Sequence, residues 1–581
     1  MKRWFKYVRP YLPYFILGPL CMILEVVGEV LMPKCLSLVM KYSVENGWQF
    51  SVGIAGIMVV LAFLMMAGGI GVAYFGAKAS VNFAADLRLD VYRHIQKFSF
   101  ANIDKFSTGS LVTRLTNDVQ QMQNMVNMLL RMALRAPGML IGGLIMAIIL
   151  RPSLATVLAV TIPLMILTIA ALIFMSFPKF TAMQKKLDKL NSTVQENITN
   201  IRVVKSFVRE DVEKKKFSDA NRDMKNTAGS AIKLMIFMSP VMTLFMNVTQ
   251  IVIILLGSRM VYNGGADPMQ YQDLSAFIVY VTQILSSLMM VTFLFMNLSR
   301  ALASAKRIRE VIDEEITLSD DDAKFKDKVI ENGKIEFKNV TFRYYKNSTD
   351  PVLSDVDLVI EPGTTVGIIG STGSGKTTLV SLIARLYDAD EGQVLIDGVD
   401  VKDYSLYNLR EGVGIVLQKN VLFSGSIEDN LRWGNDEATR EQIVAACDSA
   451  QATKFIENFK GQFGYDLGQG GKNVSGGQKQ RLCIARTLLK DPKIIILDDS
   501  TSAVDTATEA QIRKAFSNEL ASSTKIIIAQ RISSVKEADV IFIMNDGKIT
   551  GKGTHDELLE SNVEYQEIYY SQNEKAKKEG A

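Results

Sequence analysis

The sequence predicts a chain of two fused parts: an α-helical membrane domain with six transmembrane helices, followed by an α/β domain of the phosphate-loop type. Three observations carry this. Six long apolar stretches lie in the first half, a glycine-rich strand-to-helix loop lies in the second, and the composition changes between them. The overall figures of 48% hydrophobic and 22% charged residues average two unlike halves.

The stretches are 14–40, 52–77, 124–150, 152–177, 233–262 and 274–300. Each exceeds the roughly 20 residues that a helix needs to cross a bilayer core of about 30 Å. A soluble helical domain would show polar faces at helical spacing, and Ile141 to Leu150 and Val252 to Leu256 show none. Lys2, Arg3, Lys6 and Arg9 precede the first span, whereas the links 41–51, 151 and 263–273 carry few basic residues, which places the amino terminus in the cytoplasm. An even number of spans then returns the chain there. The links 78–123 and 178–232 are polar and helix-favouring, as helices continuing out of a bilayer would be. The net charge of +4 is too small and dispersed for nucleic acid binding.

In the second half, the apolar run Val366 to Ile369 reads as a buried strand. It leads into Gly370-Ser371-Thr372-Gly373-Ser374-Gly375-Lys376-Thr377-Thr378, which fits G-x-x-x-x-G-K-[ST]. Glycines let backbone N–H groups face the α- and β-phosphates of ATP, Lys376 reaches the β- and γ-phosphates, and Thr377 offers a hydroxyl to Mg²⁺. The helix expected over 378–386 points its positive end at the nucleotide.

Further motifs carry a family resemblance. Val474-Ser475-Gly476-Gly477-Gln478-Lys479-Gln480-Arg481 resembles the signature sequence of ATP-binding cassette (ABC) proteins. Gln418 resembles the family's glutamine loop, which also reaches Mg²⁺; Tyr344 the aromatic that stacks on adenine; and Ser502-Ala503-Val504-Asp505 the loop at the dimer seam. Ile494 to Asp498 resembles the strand whose final aspartate helps hold Mg²⁺. Phe98 to Asp104 with Thr108-Gly109, and Val203 to Glu210, resemble the coupling segments of exporter-type members; Ser304 to Ile308 resembles their interdomain connector. The resemblance implies a membrane domain over 1–312, a linker over 313–332, a nucleotide-binding domain over 333–572 and a polar tail over 573–581. It identifies half of an exporter-type transporter, which works as a pair with each nucleotide held between one chain's phosphate loop and the other's signature.

Two positions depart from the family pattern. The glutamate that polarises the attacking water is replaced by Asp499, one methylene shorter, and the switch histidine by Gln530, which cannot carry a positive charge. Neither of the two histidines, His94 and His555, lies in that motif. Together these changes resemble the slow-turnover subunit of a heterodimeric multidrug-type exporter. Such a subunit holds ATP and lends Ser475 to Gln478 to a partner's catalytic site. A homodimeric exporter or lipid flippase with a weakened site, and an exporter-fold importer, are the alternatives. Gly468-Gln469-Gly470-Gly471 also departs from the usual Gly-Glu-Arg-Gly.

The expected setting is a bacterial plasma membrane, with membrane lipid and a small amphiphilic substrate as partners. Glu25 and Glu29, one helical turn apart in the first span, suit a cationic amphiphile or form a structural pair. Met235, Met238, Met242 and Met246, with Met289, Met290 and Met296, suit a promiscuous apolar surface or are lipid-facing filler. Gln250 and Gln283 would bind substrate or tie helices together. The cysteines, Cys21, Cys35, Cys447 and Cys483, have no metal-ligand spacing, and reduced, buried thiols are expected.

Overall fold

The structure, a computed structural model, describes residues 2–45, 48–262, 269–345, 348–499 and 506–572. It divides into two compact units, Met1–Gln96 with Thr108–Asp313, and Lys97–Ser107 with Glu314–Ala581.

Among the described residues, the first unit contains six helices long and apolar enough to cross a membrane: Trp4–Ser43, Trp48–Ile95, Thr108–Leu150, Pro152–Thr199, Glu210–Tyr262 and Tyr271–Leu294. Apolar side chains such as Phe63 and Ile70 lie exposed along the second, which water would penalise and a bilayer covers. The second, fourth and fifth helices run for 48, 48 and 53 residues. At about 1.5 Å per residue they reach roughly 70–80 Å, more than twice the hydrocarbon thickness. The polar links of the sequence are therefore largely helical extensions. The stretch 203–210 forms the tip between the fourth and fifth helices, through the short helix Ile201–Ser206. Lys186–Asp223 (2.6 Å) and Lys216–Glu196 (3.1 Å) hold that pair together.

The first two spans approach closely because glycines face the neighbouring helix. A Cβ at Gly71 would lie 2.6 Å from Cys21 Sγ, and one at Gly28 2.5 Å from Met65 Cγ. Polar groups then join the spans. Tyr280 donates to the Val30 carbonyl (2.8 Å), Gln283 to the Glu29 carbonyl (3.0 Å), and Gln250 to Thr282 (2.8 Å). Gln250 and Gln283 thus tie helices. Met242 is fully buried, with Met238 and Met246 packed against the same core, so this part of the methionine series fills protein interior rather than facing lipid. The side chains of Met235 and Met296 lie outside the described residues.

Arg114–Asp118 is π-helical, and the buried Asp118 accepts from Ser304 (2.9 Å) and from both Nε and Nη2 of Arg307, drawing the connector segment onto this turn.

The second unit is built on two sheets. An antiparallel sheet has order β2-β1-β4-β5, with β1 Ile335–Phe342, β2 Leu353–Ile360, β4 Glu391–Ile396 and β5 Val399–Asp400. A larger sheet has order β10-β9-β3-β8-β7-β6, with β3 Thr365–Gly370, β6 Val413–Val416, β7 Ile494–Asp498, β8 Thr524–Ile528, β9 Val540–Asn545 and β10 Lys548–Gly553. All neighbours in it are parallel except β9 and β10. Ile494 to Leu497 are buried, as a strand covered on both faces requires.

The segment Lys97–Ser107 belongs to this unit rather than to the helices on either side of it. Its short helix Phe100–Lys105 starts with a Ser99–Asn102 capping box. Asn102 donates to the Glu315 carbonyl (2.8 Å), and Asp104 accepts from Tyr387 (2.9 Å).

Candidate functional site

The carboxyl ends of four adjacent parallel strands, β3, β8, β7 and β6, converge on one edge of the larger sheet. In open α/β folds that edge is where ligands bind. β3 delivers the glycine loop, β7 ends in Asp498 followed by Asp499, and Gln530 and Gln418 lie just beyond β8 and β6. A cleft of about 320 Å³ is lined by Thr372, Gly373, Gly375, Lys376, Thr377, Thr378, Gln418, Asp498, Asp499 and Gln530 among others. Residues as far apart in sequence as Thr372 and Gln530 thus meet because the sheet is parallel.

Glycine is required in the loop. Gly373 and Gly375 sit at φ +90° and +95°, and a Cβ at Gly375 would press to 3.0 Å on the Val352 carbonyl. Beside the exposed Gly373 nothing lies within 4 Å of a Cβ position, so its left-handed backbone, and not crowding, is what favours glycine there. Lys376 spans the loop, donating to the carbonyls of Gly370 (2.9 Å) and Ser371 (2.6 Å) and to Ser374 Oγ (3.2 Å). Burial holds its ammonium below the usual lysine range despite the attraction of Asp498 and Asp499. A partly desolvated cation with exchangeable carbonyl partners is suited to take a polyanion.

Thr377 donates to Asp498, at 2.9 Å to Oδ2 and 3.2 Å to Oδ1. Asp498 is 3% exposed, and burial pushes its carboxyl up, the neighbouring Asp499 adding to the shift and the Thr377 hydroxyl opposing it. A buried carboxylate strained in this way beside a hydroxyl, with a side-chain amide nearby, is an oxygen set that fits Mg²⁺.

Asp499 occupies the left-handed region at φ +48°, its N–H donating to the Ile528 carbonyl (2.9 Å). Its Oδ2 accepts from two side-chain amides, Gln530 Nε2 at 3.2 Å and Gln418 Nε2 at 3.4 Å. The two altered positions are therefore hydrogen-bonded to each other.

Tyr344 lies at the edge of the cleft, its hydroxyl 2.9 Å from Thr378 Oγ1 and its ring 5.2 Å from that of Tyr387. Tyr387 was not singled out by sequence reasoning; an aromatic in Arg385-Leu386-Tyr387 carries no motif of its own. Its phenol is pushed up by burial, then by the bond to Asp104. Ser475 to Gln478 do not reach this cleft. They open the helix Gly476–Leu489 in a capping box, with Ser475 and Gly476 exposed. Asp505 and the rest of its loop lie outside the described residues.

In the membrane unit, Arg135 stands between Glu25 and Glu29, with Nη1 2.6 Å from Glu25 Oε1 and Nη2 3.1 Å from both oxygens of Glu29. The carboxylates are thus ion-paired, with one net negative charge left on the triad. Sequence reasoning missed Arg135, although an arginine inside an apolar span is itself the signal that an acidic partner exists. Cys447 and Cys483 are buried, as expected of inert thiols, whereas Cys21 and Cys35 are only half-buried.

The chain is similar to known ABC transporters over nearly its whole length. The sequence model of the ABC transporter transmembrane region matches residues 15–288, and that of the ABC transporter ATP-binding part, described as "ABC transporter", matches 353–502. An uncharacterized ABC transporter ATP-binding protein of Bacillus subtilis, YfiB, is 37% identical over 98% of each chain. An ATP-dependent lipid A-core flippase of Desulfotalea psychrophila is 33% identical over 84% of each. A bacterial Atm1-family ABC exporter solved with ATP bound superimposes with a TM-score of 0.80 at 24% identity, covering 97% of this chain and 98% of its own.

Proposed function

The chain belongs to the ABC transporter family, as a multi-span membrane protein with a cytoplasmic ATPase domain, and from that membership we propose that it is the slow-hydrolysing half of a heterodimeric exporter. The observation that carries the proposal is the Gln418–Asp499–Gln530 cluster. Where the family places a glutamate and a histidine, this chain has a shorter carboxylate with two neutral amides on one oxygen.

Tyr344 provides a face for adenine, and the loop N–H groups with Lys376 hold the phosphates. Thr377, Asp498 and Gln418 would hold Mg²⁺, which supplies charge neutralisation at the transferred phosphoryl group. Asp499 stands where the attacking water must be oriented, but its reach is one methylene short. A misplacement of about 1 Å costs on the order of 10²-fold, and loss of a positioned base roughly 10²- to 10⁴-fold. Binding residues are complete while the water-positioning residues are altered. Ser475 to Gln478, the first two of them exposed and all absent from the lining of this chain's own cleft, are suited to a partner's nucleotide.

The transported molecule is proposed to be a small amphiphile or lipid. A positively charged substrate loses support from Arg135, which neutralises one of the two carboxylates. Resemblance to a lipid A-core flippase favours, as a second reading, a homodimeric lipid flippase with a weakened site. Reconstituting the chain alone and with a half-transporter carrying an intact glutamate and histidine separates the two. Turnover that needs the second chain supports the heterodimer, and brisk turnover by the pure chain supports the flippase.

A further inference from the structure

The last helix of the ATPase domain ends on the switch loop. Gln572, the final residue of the helix Val563–Gln572, uses both ends of its amide on backbone groups two residues apart. Its Nε2 donates to the Gln530 carbonyl at 2.8 Å, and its Oε1 accepts from the Ile532 N–H at 2.9 Å. Both groups lie in the turn between β8 and the 3₁₀ turn Ile532–Ser534, and from that turn the Gln530 side chain reaches Asp499.

The helix that carries Gln572 is itself anchored. Tyr565 is fully buried with its hydroxyl 2.7 Å from His555 Nδ1, and Glu564 accepts from Asn545 (2.8 Å) and Thr550 (2.6 Å) across β9 and β10. A rigid arm therefore ends in a two-point grip on the switch backbone. A histidine at the switch position would bring its own charge to the nucleotide, whereas Gln530 offers only a neutral amide, so its placement depends more on how its backbone is held.

We propose that Gln572 is a positioning residue for ATP turnover, fixing the backbone of Gln530 to Ile532 so that the Gln530 amide meets Asp499. The proposal rests on the chain's ATPase activity and not on the identity of a partner, so its failure would leave the heterodimer reading untouched.

The test uses the full-length chain in lipid nanodiscs, with its partner half-transporter where turnover requires one. Gln572→Ala should speed amide hydrogen exchange in 529–534 by about tenfold, the effect of losing a two-point hydrogen-bonded contact. It should lower single-turnover hydrolysis at this chain's own site several-fold, read with the partner's catalytic glutamate replaced by glutamine, while nucleotide affinity and the thermal midpoint stay unchanged, because the phosphate-binding residues keep their contacts. Gln572→Glu, which keeps the acceptor for Ile532 but sets a carboxylate oxygen against the Gln530 carbonyl, should be no better than Gln572→Ala. Unchanged exchange in 529–534, unchanged single-turnover hydrolysis at this site, or a parallel shift of nucleotide affinity and thermal midpoint that signals general loosening would each overturn the proposal.

Discussion

Restoring the two altered side chains tests the chemistry most directly. Asp499→Glu extends the carboxylate by one C–C bond, about 1.5 Å, more than the ~1 Å displacement that costs on the order of 10²-fold. The expected gain in hydrolysis at this site is therefore about 10²-fold, or roughly 2.7 kcal/mol of barrier. Against it stands the backbone. Residue 499 lies at φ +48°, a region that costs most L-residues about 1–2 kcal/mol and that aspartate tolerates better than glutamate. If that strain returns about 1 kcal/mol, a gain of at least roughly tenfold remains. Adding Gln530→His should raise it further and introduce a pH dependence near 6.5 that the parent lacks at this position. The assay is single-turnover ATP hydrolysis by the reconstituted transporter, with nucleotide affinity measured alongside. No increase in either the single or the double variant, with nucleotide binding intact, would refute the claim that these positions limit the rate.

Two further perturbations read other parts of the molecule. Arg135→Leu leaves Glu25 and Glu29 without their shared cation inside the membrane unit, where each unpaired charge costs at least about 2.5 kcal/mol; a thermal midpoint several degrees lower in detergent is expected, substantially restored when Glu25→Gln and Glu29→Gln are added. His555 is buried against Tyr565, and burial, then the nearby Lys536, holds its imidazole below the usual histidine range. Its folded pKa is thus depressed and the fold favours the neutral ring, so its share of stability is complete above about pH 6.5 and is lost as pH falls toward the folded value. Thermal midpoints at pH 7.5 and 5.5 should therefore differ more in the wild type than in His555→Gln, and equal differences would contradict this reading.

What the sequence determined by itself was local. Six apolar stretches required helices because a bilayer satisfies no backbone hydrogen bonds, and the glycines at 373 and 375 permit a left-handed loop that side chains rarely adopt. The cleft was legible for the same reason: the loop and the residues following β6, β7 and β8 each follow a strand, and parallel strands carry their ends to one edge. Tertiary structure alone decided which distant groups meet. Arg135 reaches Glu25 across 110 positions and Gln572 reaches the switch loop across 42, contacts with no fixed spacing along the chain. Hydropathy marked the apolar part of the fifth helix, 233–262, but neither its full extent from Glu210 nor its facing, so Met242 could pass for lipid-facing filler until packing placed it in the core. Lys97–Ser107 lies between two stretches of the membrane unit yet joins the ATPase domain, because the bonds of Asn102 and Asp104 run to Glu315 and Tyr387. Periodicity records what a residue's neighbours along one helix require, whereas pairing between elements is set only when the chain folds back on itself.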